Sequence, residues 1–187
     1  MSVIAIAFTT LDGVAEDPDG SAGSGPGPWM FRYGREAVGG DAFRLGRLLD
    51  DGVLLLGRGT WQHFARLWPN RDDAFASRMN AADKLVASRT LTEADAAAWA
   101  NSRVLQGDLL DAVKRERRDV LVMGSLDIAH RLAAADLVDE YRLLTFPVVL
   151  GRGRRIFPEN GPVTELDCVQ VELDGPLIRT RYRRSTR

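Results

Sequence analysis

The chain has 187 residues, 45% of them apolar and 27% charged, which suits one globular domain with a filled core and is short for two. Its 25 basic and 26 acidic side chains leave a formal net charge of −1, which argues against broad electrostatic binding to nucleic acid and leaves room only for a local basic patch. The single cysteine, Cys168, excludes an internal disulfide and a multi-cysteine zinc site, the two histidines lack metal-ligand spacing, and no uncharged run nears the ~18 residues of a membrane span. A cytoplasmic protein without metal, membrane or nucleic-acid partner is expected. Met1 to Phe8 also lacks the basic region and apolar length of a secretory signal.

Val3 to Phe8 is a short apolar run that predicts a buried first strand. Leu11-Asp12-Gly13-Val14 follows, then a loop from Ala15 to Pro28 dense in Gly, Pro, Asp and Ser. A loop of that length is a lid, a binding loop or disordered. Trp29, Phe31 and Tyr33 stand at alternate positions at its end, placed either to line a pocket for a planar ligand or to anchor the loop to the core. The spacing of Ala42, Leu45, Leu48 and Leu49 predicts a helix over residues 41–50, stopped by Gly52.

Val53-Leu54-Leu55-Leu56 reads as a strand buried on both faces, as in a parallel sheet. Gly57 and Gly59 let the backbone turn sharply, and Thr60 is placed to cap a helix carrying Trp61, Phe64 and Ala65. Free N–H groups at that helix start, with the Arg58 guanidinium beside them, suit an anion such as a phosphate. An ordinary βα turn with a surface arginine is the alternative.

After Trp68-Pro69-Asn70, a short helix over residues 74–81 leads into the strand Lys84-Leu85-Val86-Ala87, which ends in Ser88-Arg89-Thr90. Thr92 to Ala100 is alanine-rich, with Thr92 placed to cap a short helix, and Val104-Leu105 is a weak strand. Residues 108–118 form an amphipathic helix with a basic end, in keeping with the helix dipole. Val120 to Met123 is another buried strand, running into Gly124-Ser125 and a helix from Leu126 to Ala134 with Ser125 as N-cap. From Leu137 onward strands follow without helices: Tyr141 to Val149, where Pro147 suggests an edge or a bend, then Val163 to Leu173 and Leu177 to Tyr182 as a hairpin around Asp174-Gly175-Pro176. The order predicts an α/β sheet with antiparallel additions on its C-terminal side, in one domain over residues 1–187.

Three strands thus end in residues suited to a phosphorylated ligand: Gly57-Arg58-Gly59-Thr60, Ser88-Arg89 and Gly124-Ser125. In an open α/β sheet, ligands sit beyond the carboxyl ends of the strands. Adjacent strands lie about 4.8 Å apart, so Arg58 and Arg89 on neighbouring strands could share one phosphate. Two arginines and a serine around a monophosphate are what the 2′-phosphate of an adenosine ribose calls for, while the helix start at Gly124-Ser125 suits a bridging pyrophosphate. The pattern points to NADPH rather than NADH. Neither a G-x-G-x-x-G after the first strand nor a G-x-x-x-x-G-K-[ST] is present.

Leu11-Asp12-Gly13, Leu56-Gly57-Arg58-x-Thr60-Trp61, Lys84-x-Val86-x-Ser88-Arg89, Val122-x-Gly124-Ser125 and Phe146-Pro147-Val148-Val149-Leu150-Gly151 occur in that order. Together they resemble the dihydrofolate-reductase-like superfamily, in the branch of the C-terminal reductase domain of riboflavin biosynthesis protein RibD. The resemblance runs from Ser2 to about Arg183. It implies a three-layer sandwich with a central, mostly parallel sheet of about eight strands, helices on both faces, NADPH as hydride donor, and often a homodimer. It implies that Gly57, Arg58 and Thr60 hold cofactor phosphates, Ser88 and Arg89 the adenosine end, and Gly124, Ser125 and Leu126 the pyrophosphate, with Asp12 and Gly13 over the nicotinamide ribose. Dihydrofolate reductases carry Gly-Gly where this chain has Gly124-Ser125, and their pterin-binding carboxylate has no unambiguous counterpart, Glu36 and Asp41 being candidates. The zinc-bearing deaminase half of RibD has no counterpart, so a stand-alone reductase-like domain is implied.

The expected activity is reduction of a heterocyclic, pyrimidine- or pterin-like compound, similar to 5-amino-6-(5-phosphoribosylamino)uracil reductase; a non-catalytic dimeric module binding NADPH or another nucleotide is the alternative. Trp29, Phe31, Tyr33 and Asp41 are the expected substrate contacts. Asp12 either relays the proton or binds backbone N–H groups of its turn. Phe146 to Phe157 is the expected subunit interface, an apolar strand with an edge-type proline.

Overall fold

The computed structural model describes residues 1–23, 25 and 27–185. Eight strands follow in chain order: β1 (Val3–Thr10), β2 (Val53–Gly57), β3 (Asp83–Ala87), β4 (Ser102–Val104), β5 (Val120–Val122), β6 (Glu140–Phe146), β7 (Leu166–Asp174) and β8 (Leu177–Arg184). They form a single sheet in the spatial order β4-β3-β2-β5-β1-β6-β8-β7. The six from β4 to β6 are parallel, and β8 and β7 join as an antiparallel pair.

The two-residue period of the strands sorts the core into two layers. Val53 and Leu55 point to one face with Val3, Ala5, Val120 and Val122; Leu54 and Leu56 point to the other with Ile4, Ile6 and Leu121. The first face is covered by α5 (Leu109–Arg115) and α6 (Leu126–Ala134), through Leu109, Val113, Ile128, Ala129 and Leu132. The second is covered by α1 (Arg47–Asp51), α2 (Arg58–Leu67) and α3 (Ala74–Ala81), through Leu49, Trp61 and Met79. Since β2 lies fully buried between the layers, every one of its residues counts as core, and each buried Leu or Val contributes about 1.5–3 kcal/mol. A short α4 (Glu93–Ala96) and 3-10 turns at Trp29–Tyr33, Glu36–Val38 and Trp68–Asn70 complete the elements. Among the described residues no helix is long and apolar enough to cross a membrane, and no cluster of potential metal ligands is present.

Three expectations need correction. Helix 41–50 shrinks to Arg47–Asp51, because the Asp41 carboxylate takes the N–H groups of Leu45 and Gly46 and the backbone turns left-handed at Arg44 and Gly46. Helix α2 starts three residues early: Gly57 is its N-cap, and Thr60 lies inside its first turn. The short helix expected after Thr92 is present as Glu93–Ala96, with its Thr92 cap in a capping box with Asp95. The strand expected to reach Val149 stops at Phe146, before Pro147, which has no N–H to donate.

The open edge that Pro147 suggested is absent: strand β6 is interior, between β1 and β8, and the segment beyond it is a strap bonded to the turn after β1. Leu11 N–H donates to Val148 O, Ala15 N–H to Arg154 O, and Ile156 N–H to Gly13 O, each at 2.9 Å.

Candidate functional site

Strands β2 and β5 are parallel neighbours, yet the helices that follow them go to opposite faces: α2 joins the layer with Leu54, and α6 the layer with Leu55. A crevice must open where two adjacent βα turns diverge, and that is where open α/β sheets bind ligands. Here the two turns touch. Gly57 N–H donates to Gly124 O at 3.2 Å. A Cβ on Gly57 would lie 2.8 Å from Ser125 Oγ, and one on Gly124 would lie 3.0 Å from Thr60 Oγ1. Gly124 also has a φ of +92°, which L side chains rarely adopt. The peptide between Gly124 and Ser125 is cis. Sequence positions 57, 60, 124 and 125, expected to serve one ligand, are thus in mutual contact.

The helix starts at this crevice lack a side-chain cap, as does that of α1 after Gly46. Helices α3 and α5 and the short α4 have their first N–H groups capped by Asp73, Asp108 and Thr92 side chains. Helix α2 begins at a glycine without a side chain to offer, and the Ser125 side chain makes no capping bond to α6. Leu126 is the first residue of α6, so its N–H belongs to this open end. Two uncapped helix N-termini side by side present positive dipole ends to an anion.

Outward from this contact, beside β3, Arg58 Nη1 donates to Thr90 Oγ1 at 2.8 Å. Ser88 Oγ accepts the N–H groups of Thr90 and Leu91, at 3.2 and 3.0 Å, and so shapes the turn leaving β3. Arg58, Trp61, Gln62, Thr90, Leu91 and Asp95 line an open cleft of about 530 Å³ between α2 and α4. Arg89 is exposed in the same turn but does not line the cleft. Neither Arg58 nor Arg89 is ion-paired among the described residues. The role of Thr90 was not legible in the sequence; the Ser88-Arg89-Thr90 run following a strand was the only signal.

On the other side of β5, the turn after β1 carries Asp12 and Gly13. The Asp12 carboxylate accepts the Thr10 hydroxyl at 2.6 Å, Gly151 N–H at 2.8 Å and Leu150 N–H at 3.2 Å. The Thr10 hydroxyl chiefly, then the two strap N–H groups, outweigh the opposing effect of desolvation and hold its pKa below the ordinary 3.8. Gly13 lies at φ +82°, and Arg155 Nε donates to Asp12 O. The strap is fixed in turn to α6 by Arg154–Asp127 and by His130 Nε2, 2.9 Å from Arg155 O. Turns from β3, β2, β5 and β1 therefore stand in a row, across three strand intervals of about 4.8 Å each.

The expected substrate contacts separate. Trp29 is wholly buried, stacked edge-on against Phe146 at 5.3 Å, with its Nε1 donating to Glu16 O; it anchors the loop. Tyr33 is half-buried with its hydroxyl donating to Pro147 O, and Phe31 keeps partial exposure under the Arg35 guanidinium. Asp41 is not brought to the strand ends: it sits beside α1 and α3, binding backbone N–H groups and lying 3.9 Å from Arg78. Glu36 is exposed in the 3-10 turn Glu36–Val38. His63 Nε2 lies 2.8 Å from Asp19 Oδ2, which joins the Gly-rich loop to α2.

Comparison with known proteins agrees with this architecture. Residues 1–179 match the profile of a family described as the RibD C-terminal domain. No curated protein matches the chain in sequence. Among solved structures, a protein assigned to riboflavin biosynthesis in Shewanella sp. PV-4 superposes with a TM-score of 0.74 at 22% identity, covering 99% of each chain. A diaminohydroxyphosphoribosylaminopyrimidine deaminase/5-amino-6-(5-phosphoribosylamino)uracil reductase of Thermotoga maritima gives a TM-score of 0.61 at 16% identity, over 98% of this chain and 56% of the other. A pyrimidine reductase-like protein of Corynebacterium diphtheriae gives 0.55 at 13% identity, over 100% and 92%. At these identities the likeness is one of fold.

Proposed function

Because the chain belongs to the RibD C-terminal domain family, the reductase domain of riboflavin biosynthesis, we propose that it is an NADPH-dependent reductase of a small pyrimidine- or pterin-like heterocycle. The observation that carries this reading is the contact of two uncapped helix N-termini beside an arginine without a carboxylate partner. The residues fit the cofactor: glycines at 57 and 124 let the two turns pack against each other, which brings the uncapped starts of α2 and α6 together for its phosphates. In this reading Gly57, Arg58 and Thr60 hold the cofactor phosphates, Ser88 and Arg89 the adenosine end, and Gly124, Ser125 and Leu126 the pyrophosphate.

The bound cofactor supplies a hydride, so the protein needs to orient and dry the reacting pair rather than form a bond to it. Asp12, kept ionised by its three donors, is placed to hold the turn over the strand ends, and we assign it positioning rather than proton transfer. Gly13 lets that turn approach closely. Phe31 and Tyr33 offer aromatic surface to a planar substrate, with Trp29 beneath them as anchor. The test is NADPH titration by fluorescence, then oxidation assays with pyrimidine, pterin and flavin acceptors. NADPH binding with turnover of one acceptor class is expected. Binding without oxidation of any acceptor would favour a non-catalytic nucleotide module, a reading supported by the absence of an uncommitted carboxylate at Asp12. No NADPH binding at all would sink both.

We place the protein in the cytoplasm as a homodimer, meeting through the β7–β8 flank. Strand β7 is an edge strand, and all the exposed large apolar side chains except Met1 and Leu11 lie between Val149 and Ile178. An open edge beside apolar side chains is self-complementary across a two-fold axis. Sedimentation at micromolar concentration should show a dimer that Leu173→Asp dissociates.

A further inference from the structure

We propose that Thr90 is a positioning residue that sets the preference for a 2′-phosphorylated cofactor, an inference that rests on the cofactor reading above. Its hydroxyl accepts from Arg58 Nη1 at 2.8 Å, fixing the guanidinium at the rim of the cleft between α2 and α4. An arginine side chain loses rotamer freedom when ordered, so holding it beforehand lowers the cost of ligand binding. The partner is neutral. A carboxylate in the same place would fix Arg58 equally well but cancel the charge that a phosphate needs.

Three further features make Thr90 a firm support. Threonine is β-branched and stiff at χ1. The backbone N–H groups of Thr90 and Leu91 are both tied to Ser88 Oγ, which sets the turn that presents the hydroxyl. The carboxylate lining the cleft, Asp95, is engaged elsewhere: its Oδ2 accepts the N–H and hydroxyl of Thr92 at 2.9 and 2.7 Å. Arg58 is thus oriented by a neutral dipole, with no carboxylate paired to it among the described residues.

The test compares wild type with Thr90→Val, Thr90→Ser and Arg58→Ala, measuring Kd for NADPH and NADH, for the fragments 2′,5′-ADP and 5′-AMP, and the Tm of each apoprotein. Losing a hydrogen bond to a charged group should weaken NADPH and 2′,5′-ADP about tenfold in Thr90→Val, with NADH and 5′-AMP changed less than about twofold. Thr90→Ser, which keeps the hydroxyl, should restore most of the preference, and the Tm should stay within a few degrees. If Arg58→Ala abolishes the preference while Thr90→Val leaves it intact, Thr90 has no such role, although the cofactor reading stands. Equal weakening of both cofactors by Thr90→Val likewise overturns it. A wild-type protein without preference for 2′,5′-ADP over 5′-AMP overturns the cofactor reading and this inference together.

Discussion

Arginines occupy two contrasting regions of this sheet. On the antiparallel side, Glu140 at the start of β6 accepts Arg142 Nε at 2.8 Å, Arg181 Nη2 at 3.0 Å and Arg183 Nε at 3.0 Å. Arg179 pairs with Glu172 and Asp174, and Arg184 with Asp139 and Asp136. Nearly every guanidinium there is neutralised by the fold itself. At the carboxyl ends of β2 and β3, Arg58 has a hydroxyl for a partner and Arg89 stands exposed. Paired arginines hold a structure together, whereas unpaired ones beside uncapped helices keep their charge for something that arrives later.

The most severe way to probe this contrast is Glu140→Ala. Glu140 and Arg142 are 5% and 6% exposed, so the change strands the buried Arg142 cation, and about 3–5 kcal/mol of stability should go, read by chemical denaturation. Burial alone would push the Glu140 carboxyl up, but the guanidiniums of Arg181, Arg142 and Arg183 outweigh it and bring its pKa from 4.5 to about 2. A carboxylate depressed in the folded state stabilises above its unfolded pKa. That stability should be complete above about pH 4.5 and drain away as the pH falls toward 2, and the acid limb should flatten in Glu140→Gln. An unchanged acid limb would break the assignment.

Arg58→Ala should do the reverse. Having no carboxylate to abandon, it should leave folding stability within about 0.5 kcal/mol of wild type. NADPH affinity should nonetheless fall by about 2 kcal/mol, far more than NADH affinity. Equal losses for both cofactors would contradict the 2′-phosphate assignment.

How much of this contrast is legible in the sequence depends on range. The apolar runs and the glycines that end them mark β2, β5 and their turns, because burial on two faces and a tight exit are local demands. The expected helix over 41–50 fails on a competition between short-range options, in which the Asp41 side chain takes two N–H groups that the helix needed. The strap over the Asp12 turn and the Glu140 hub join residues more than 100 and more than 40 positions apart, respectively, and no local pattern announces them. Trp29 illustrates the same limit: an aromatic at a loop end reads alike whether it faces ligand or core.

A smaller effect is expected from Asp12→Asn. General acid catalysis is worth about 10²–10⁴ in rate, so a positioning Asp12 predicts a fall in turnover below about tenfold, with the pH–rate profile unmoved. A larger loss would return the proton-relay role to Asp12. Smallest of all should be Arg183→Ala, whose side chain is 60% exposed. Solvent screens such a pair, and the cost should stay below about 1 kcal/mol by thermal denaturation, which separates the rim of the Glu140 network from its interior.

The fit between Gly57 and Ser125, and between Gly124 and Thr60, has a bearing on redesign. Each turn fills the volume that a side chain on its neighbour would occupy, so neither can be transplanted from another protein by itself. A graft aimed at switching nicotinamide preference would have to import both segments as a cassette. Laboratory evolution confined to one of them should stall until a compensating change arises in the other.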